Sequence, residues 1–409
     1  MLPGALSLIN NTISVFSVRE QAQAEANIAI NPITEAIKTN HTGYFSDPYH
    51  IPYKNNQGIY ISGTTHAYLT CGKILQPKCA DEPFKTDKYR SSQKLQDKAK
   101  QNGVSICGGG AGIHRHQSAD SSWDAVVTLH IRNSSSCDGH WDWSVIVHAH
   151  PENSDDISVP PSSWIGDELL VGSFSKNTDA NYDGKYFLTP EGKLYLVYQK
   201  QKSTRPKRDG VVAWSMDNPK TKTPGTGPTF LLLPDVNLNS ENYVAGNDSF
   251  KLIETGNIRA INGKFVMAYS VGAYNHNTYK SAIAFSDTFL GPYRKVMKEN
   301  PDNLWNSTGP NEVFYILQAE HKHAGWHYVG KRVLAPGVPT VADIGPNGWV
   351  LTFAGYRPHD TGTNDGAPPY HANHRRPFYV DLNVNIPDDT SVENATDAEL
   401  RRWITPASA

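Results

Sequence analysis

Three times in this chain an acidic residue leads a short strand, a glycine-containing turn and a second strand rich in aromatic residues, and that recurrence limits the fold more than any other feature. The clearest copy is KLIETGNIRAINGKFVMAYS, Lys251 to Ser270. There Glu254 precedes the turn Asn262-Gly263-Lys264 and the apolar run Phe265 to Tyr269. A second copy opens with Asn177-Thr178-Asp179-Ala180-Asn181-Tyr182. It continues through Tyr186 to Thr189, the turn Pro190-Glu191-Gly192-Lys193 and the strand Leu194 to Tyr198. The third opens with Phe45-Ser46-Asp47-Pro48 and resumes at Gly58 to His66. Proline after Asp47 restricts that residue to extended or turn geometry and so fixes the direction of its carboxylate.

Further strand-like runs span Asp124 to Arg132, Trp143 to His150, Val211 to Ser215, Lys280 to Ser286, Asn311 to Gln318 and Trp349 to Phe353. Helical patterns are few and short: Val18 to Ile28, Ser91 to Lys100 and Asp397 to Ile404. Short antiparallel units in series predict an all-β fold, a β-propeller of about five blades with extended N- and C-terminal segments. With the first strand of each blade nearest the axis, the three acids would converge at one end of a central channel. Residues 1–41 read as a lead-in packed on the outside, and residues 42–409 as the propeller. The latter includes a cysteine-containing insertion (71–110), read as irregular with one helix, and a closing segment (356–409) in which Arg376 to Val384 returns as a strand.

Charge narrows the partners. With 38 Lys+Arg against 40 Asp+Glu, no net field attracts a polyanion, which argues against nucleic acid. No apolar run is long enough for a membrane-spanning helix. A nucleotide site is not indicated either, since Gly108-Gly109-Gly110 stands beside a cysteine in a segment read as a loop. The four cysteines, Cys71, Cys79, Cys107 and Cys137, include no CxxC pair and allow three disulfide pairings; Cys71–Cys79 with Cys107–Cys137 is favoured. Together with sequons at Asn10, Asn40, Asn133, Asn247, Asn306 and Asn394, they indicate a secreted, extracellular glycoprotein. His148 and His150 share one face of a strand, an arrangement that could bring both to a metal. No third ligand stands near them in sequence, so the expectation is no metal site.

Taken together, the three acid-led motifs resemble glycoside hydrolase family 43 and its close five-bladed relatives. The Asp47-Pro48 segment, followed by Ile59-Tyr60-Ile61-Ser62-Gly63-Thr64, is similar to that family's first-blade motif. The Asp179 segment with PEGKLYLVY is similar to the third-blade motif, and Glu254 with Tyr269-Ser270 to the fourth. Ile283-Ala284-Phe285-Ser286-Asp287 and Gly291-Pro292-Tyr293 add to the last. The resemblance implies a glycosidase with Asp47 as general base, Glu254 as general acid and Asp179 as the acid that tunes and orients Glu254. Departures are Thr255-Gly256 after Glu254, and the lack of a fifth-blade histidine in Gly309-Pro310-Asn311-Glu312 or Pro336-Gly337-Val338-Pro339-Thr340. An axial calcium is therefore not supported, and no cofactor is required. Phe45, Trp123 and Tyr274 are candidate stacking platforms for sugar rings, and His66, Asn181 and Arg259 further candidate substrate contacts.

The reading is of a monomeric, inverting, exo-acting enzyme on arabinose-, xylose- or galactose-containing carbohydrate. A retaining fructan-type enzyme, with Asp47 as nucleophile, and a non-catalytic carbohydrate-binding propeller are the alternatives.

Overall fold

The computed structural model describes residues 31–32, 48–53, 57–62, 67–70, 85–118, 120–138, 142–153, 160–175, 180–202, 206–238, 241–243, 249–298, 312–318, 333–343, 348–358, 360–363 and 367–407. Phe45, Asp47, His66, Cys71, Cys79, Asp179 and the helix expected over 18–28 lie outside them.

Among the described residues the strands form four hydrogen-bonded sheets, the largest of which divides at one short parallel pairing, so that five groups follow one another along the chain. A short β1 (Asn31–Pro32) comes first. The first group is the antiparallel series β2 (Pro48–Tyr53), β3 (Gln57–Ser62), β4 (Ala67–Thr70) and β5 (Lys85–Thr86). In the second, β6 (Lys88–Ser91) and helix α1 (Gln93–Gln101) lead into β7 (Ser105–Gln117), β8 (Trp123–Arg132), β9 (Trp143–Pro151) and β10 (Ser163–Val171). Strands β7 to β10 pair in order and antiparallel, and β6 lies parallel to β10. The third group is β11 (Asn181–Leu188), β12 (Leu194–Lys202) and β13 (Lys207–Asn218), with β14 (Thr221–Lys222) and β15 (Thr229–Leu232) on β13.

The fourth group is β16 (Phe250–Ile261), β17 (Lys264–Val271) and β18 (Lys280–Ser286), with β19 (Arg294–Lys295) and β20 (Tyr315–Gln318) on β18. A short parallel pairing of Lys207–Asp209 with Phe250–Leu252 joins it to the third. The fifth is β21 (Leu334–Asp343), β22 (Trp349–Tyr356) and β23 (Arg376–Val384), then helix α2 (Asp397–Trp403) and β24 (Ile404–Pro406). Both β24 and β1 pair with β23, so the two ends of the described chain meet on the last sheet.

Period-two alternation explains how the groups stack. Successive side chains on a strand face opposite ways. On β8, Ala125 and Val127 join a core with Ile51 and Ile113, whereas Val126 joins one with Tyr186, Leu196 and Val212 of the third group. On β17, Phe265, Met267 and Tyr269 pack with Val197 and Val211 of the third group. Val266 and Ala268 pack with Val341, Leu351 and Phe353 of the fifth. Strands β8 and β17 are thus apolar on both faces because each face meets a neighbouring sheet.

Residues 105–110, read as the end of an irregular excursion, belong instead to Ser105–Gln117, a long strand of the second group. Its Gly108-Gly109-Gly110 has low strand propensity, but ladder hydrogen bonds are made by backbone and need no side chain. The Cys107–Cys137 disulfide, one of the expected pair, ties this strand to the loop after β8. The helix expected over 91–100 is α1, capped by Ser92 and packed through Leu95 and Ala99.

Candidate active site

Strands β7, β11, β16 and β21 lead their meanders, and all four depart from regular pairing in the same way. Two residues before a buried polar side chain the backbone turns left-handed: Gly112 before His114, Asp183 before Lys185, Thr255 before Asn257 and Val338 before Thr340. The φ angles are 91°, 52°, 60° and 55°. Register slips at each point, between Ala111 and Ile113, Tyr182 and Lys185, Glu254 and Asn257, and Gly337 and Thr340. Such bulges add a residue to one strand and re-aim the side chains beside it.

Left-handed backbone is easy for glycine but disfavoured for the β-branched Thr255 and Val338, so neighbouring bonds must hold it. Ser270 does this for both. Its Oγ accepts the Val338 N–H at 2.6 Å and lies 3.0 Å from Thr255 Oγ1. The glycines after two of the bulges allow close packing. A Cβ on Gly184 would stand 2.6 Å from Val126 Cγ1, and one on Gly256 would stand 2.7 Å from Val211.

The polar residues after the bulges connect one first strand to the next. Lys185 Nζ donates to Asn257 Oδ1 at 2.7 Å, Asn257 Nδ2 to Thr340 Oγ1 at 2.8 Å, and Thr340 Oγ1 to Pro48 O at 3.0 Å. Lys185 also lies 5.5 Å from the Tyr49 ring, which meets His114 edge-on at 5.7 Å. Next to these, His116 of β7 meets Tyr186 of β11 at 5.6 Å. The contacts run from β2 to β7, β11, β16, β21 and back to β2.

Three residues ahead of Lys185, Asn257 and Thr340 stand Tyr182, Glu254 and Gly337. Glu254 is half-buried, and its Oε1 accepts the Tyr279 hydroxyl at 2.5 Å. Gly337 makes that bond possible: a Cβ there would fall 1.8 Å from the Tyr279 ring. Tyr182 OH donates to Asp209 Oδ2 at 2.9 Å, and Gln201 Nε2 donates to Asp209 Oδ1 at 3.1 Å. Burial pushes the Tyr182 hydroxyl's pKa far above its ordinary value, and the charges of Asp209, Glu254 and Asp183 push it the same way. Three carboxylates therefore act on one phenol. Tyr243 is likewise raised, first by burial and then by Glu254 and Tyr274. The buried Arg375 guanidinium sits 5.6 Å from the rings of both Tyr274 and Tyr279.

Of the residues expected at the site, Glu254 lies in this cluster, and Tyr274, 38% exposed, borders it. Trp123 is 4% exposed and sits among the apolar side chains of the second group's core, with no ring face open to a ligand. Asn181 is buried at the start of β11, where its backbone exchanges hydrogen bonds with Ser144 Oγ. Arg259 donates from Nε to Val341 O at 3.0 Å and from Nη2 to His50 O at 2.5 Å, which makes it a tie between strands. Asp47 lies outside the described residues, yet it directly precedes Pro48, whose carbonyl accepts from the threonine that also binds Asn257.

No family model matches the sequence, and no curated protein matches it at the sequence level. Solved structures do match in fold. An alpha-L-arabinofuranosidase from Lactobacillus brevis superposes with a TM-score of 0.58 at 14% identity, covering 90% of this chain and 96% of that one. A thermostable family-43 glycoside hydrolase gives 0.53 at 14%, covering 92% and 99%. An exo-1,5-alpha-L-arabinanase from a bovine ruminal metagenomic library gives 0.52 at 13%, covering 91% and 99%. The chain has the fold of glycoside hydrolase family 43.

On this family 43 fold, sequence reading missed Tyr182, Asp183, Asp209, Tyr279, Gly337 and Arg375. One signal was present: Asp183-Gly184-Lys185 and Thr255-Gly256-Asn257 are two copies of one local pattern, and the two copies share their bulge. Nothing local marks Asp209 or Tyr279, which reach the site from β13 and from the turn before β18. Arg375 belongs to the basic stretch His371 to Arg376, which the sequence favours as a solvated loop over a sugar-site border; instead the Arg375 guanidinium is buried against Tyr274 and Tyr279.

Proposed function

We propose that this chain is a secreted glycoside hydrolase acting on arabinose- or xylose-containing polysaccharide, and that its five strand groups are the blades of a propeller. The observation that carries the reading is Glu254, on a bulged first strand, hydrogen-bonded by Tyr279 and sharing the neighbourhood of Tyr182 with Asp183 and Asp209. Further acids beside a carboxyl group favour its protonated form, which protonation of a leaving glycosidic oxygen needs, and the Tyr279 hydroxyl orients it.

In this mechanism Glu254, protonated, donates to the departing oxygen. Asp47, ionised, deprotonates the water that attacks the anomeric carbon. Inversion follows if the two carboxyl groups stand about 6.5–9.5 Å apart, enough to admit that water. The third acidic role was expected at Asp179. Asp183 is the better candidate, because it occupies the bulge that corresponds to Thr255 beside Glu254 and acts on the same tyrosine. Arg375 and Tyr274 form the wall, with the exposed Tyr274 ring as a sugar platform. Exo action by a monomer, without a catalytic cofactor, completes the reading.

The test is hydrolysis of aryl arabinofuranosides and xylosides, arabinan and arabinoxylan by the wild type and by Glu254→Gln, Asp47→Asn, Asp183→Asn and Asp179→Asn. Losses of about 10²–10⁴-fold are expected in the first three. Full activity in Glu254→Gln or Asp47→Asn removes that residue from the mechanism, and a loss in Asp179→Asn alone returns the third role to Asp179. Proton NMR of the first-formed anomer separates inversion from retention. Sugar binding without turnover over long incubation would mark a binding propeller.

A further inference from the structure

We propose that His148, His150 and Asp167 form a binding site for a divalent transition metal of the Zn2+ class, placed on the face of the second strand group that meets the third. The two histidines alternate along β9 and so share a face. The third ligand is supplied by an irregularity in the neighbouring strand. Along the β9–β10 ladder Ala149 pairs with Gly166 and His148 with Glu168, which leaves Asp167 as the extra residue of a bulge. That bulge turns the Asp167 carboxylate onto the histidine face.

One carboxylate faces both imidazoles. His148 Nδ1 lies 2.5 Å from Asp167 Oδ1, and His150 Nδ1 lies 3.1 Å from Asp167 Oδ2. The two imidazole planes are inclined by 21°, with their centroids 6.5 Å apart. One ligand atom from each of the three residues lies within 4.8 Å of the others. Two imidazole nitrogens and one carboxylate oxygen, with a fourth position left for water, are a donor set that suits Zn2+ and disfavours Ca2+ and Mg2+.

His148 is fully buried, and its other nitrogen, Nε2, lies 2.7 Å from Asp124 Oδ1. A metal-ligating histidine ordinarily has its second ring N–H held in this way by a carboxylate, which fixes the tautomer and aims the free nitrogen at the ion. In addition, Lys220, from the turn between β13 and β14, places its Nζ 2.9 Å from Asp167 Oδ2. A cation from the third group thus already occupies the edge of the site. On metal binding any proton on His148 Nδ1 is released to solvent, the Nε2–H stays with Asp124, and Lys220 moves off the coordinating oxygen. The site is open to solvent, with His150 39% and Asp167 23% exposed at the side chain. The ion would brace β9 to β10 at the seam with the third group, as a structural metal and not as part of the Glu254 chemistry.

The test is Zn2+ titration of the full-length protein after dialysis against chelator, by calorimetry, together with the visible absorption of the Co2+ form and the melting temperature with and without Zn2+. One equivalent should bind at micromolar affinity or tighter, raise the melting temperature and give Co2+ a four-coordinate spectrum. His150→Ala and Asp167→Asn should each weaken binding at least tenfold, Asp124→Asn by about 10–100-fold, and Lys220→Met should bind at least as tightly as the wild type. Because His150 and Asp167 are partly exposed, their variants are expected to fold, which circular dichroism of the metal-free forms will check. Absence of stoichiometric uptake, or unchanged affinity in both His150→Ala and Asp167→Asn, overturns the site.

Discussion

Ser270 and Gly337 show how much of the candidate site depends on residues without catalytic chemistry. Ser270 Oγ satisfies the buried Val338 N–H and sits against Thr255 Oγ1, holding two left-handed β-branched residues at once. Ser270→Ala should cost about 1–3 kcal/mol, because a buried donor loses its partner, and should lower kcat by disturbing Glu254 next to Thr255. Urea unfolding and steady-state kinetics measure the two effects. Gly337→Ala should act on the site more directly, since the added methyl lands on the Tyr279 ring and drives its hydroxyl from Glu254. The expected outcome is a fall in kcat of the same order as in Tyr279→Phe. A Gly337→Ala enzyme with wild-type kcat would show that the Tyr279 bond is dispensable.

At the scale of the element, the repeated bulge organises the first strands. Asp183-Gly184-Lys185 and Thr255-Gly256-Asn257 each combine a left-handed residue, a glycine pressed on the preceding group, and a polar side chain that reaches across. Gly256→Ala should destabilise by about 1–3 kcal/mol through overpacking against Val211, whereas Gly263→Ala, with open space around it, should cost only its left-handed φ. Comparing the two unfolding midpoints tests whether close approach sets the cost. The strands themselves were legible from sequence where apolar residues are continuous: Lys280–Ser286 and Arg376–Val384 fall where the pattern predicts them. Strand β7 was not, because its glycines remove the side-chain signal while its ladder hydrogen bonds remain. Strand β10, half-buried and interrupted by the Asp167 bulge, was missed for a related reason: the bulge breaks the alternation on which strand reading depends.

At the scale of the whole molecule, closure by β1 and β24 on β23 and the packing of α2 hold the last sheet. Trp403 is buried against Phe285 with their rings 5.2 Å apart, and Trp403→Ala should cost about 3–5 kcal/mol. Stability should also depend on pH in a definite direction. His50 and His114, both buried on first strands, have lowered pKa values. His50 falls to about 3 through burial and then Arg259; His114 falls well below its ordinary value through burial, Lys185 and Arg115. The unfolded chain takes up these protons near pH 6.5 while the folded chain does not, so their contribution is complete above that pH and erodes below it. The slope should approach ~1.4 kcal/mol per pH unit for each histidine. Unfolding free energies measured at a series of acidic pH values should fall accordingly, and His50→Gln should flatten the curve; an unchanged slope would count against this account.

The sequence by itself determined the all-β class and many of its strands and made Glu254 a candidate, because alternation, turn residues and local order are properties of neighbours along the chain. Only the tertiary structure decided what stands beside Glu254. Tyr279, Asp209, Gly337 and Arg375 come from separate strands and loops, and Asp167 joins His148 and His150 through a bulge in an adjacent strand. Contacts between residues far apart in sequence are set by sheet stacking and register. A one-residue slip turns a side chain to the opposite face, so the identity of a strand can be read from the chain while the direction of its functional side chains cannot.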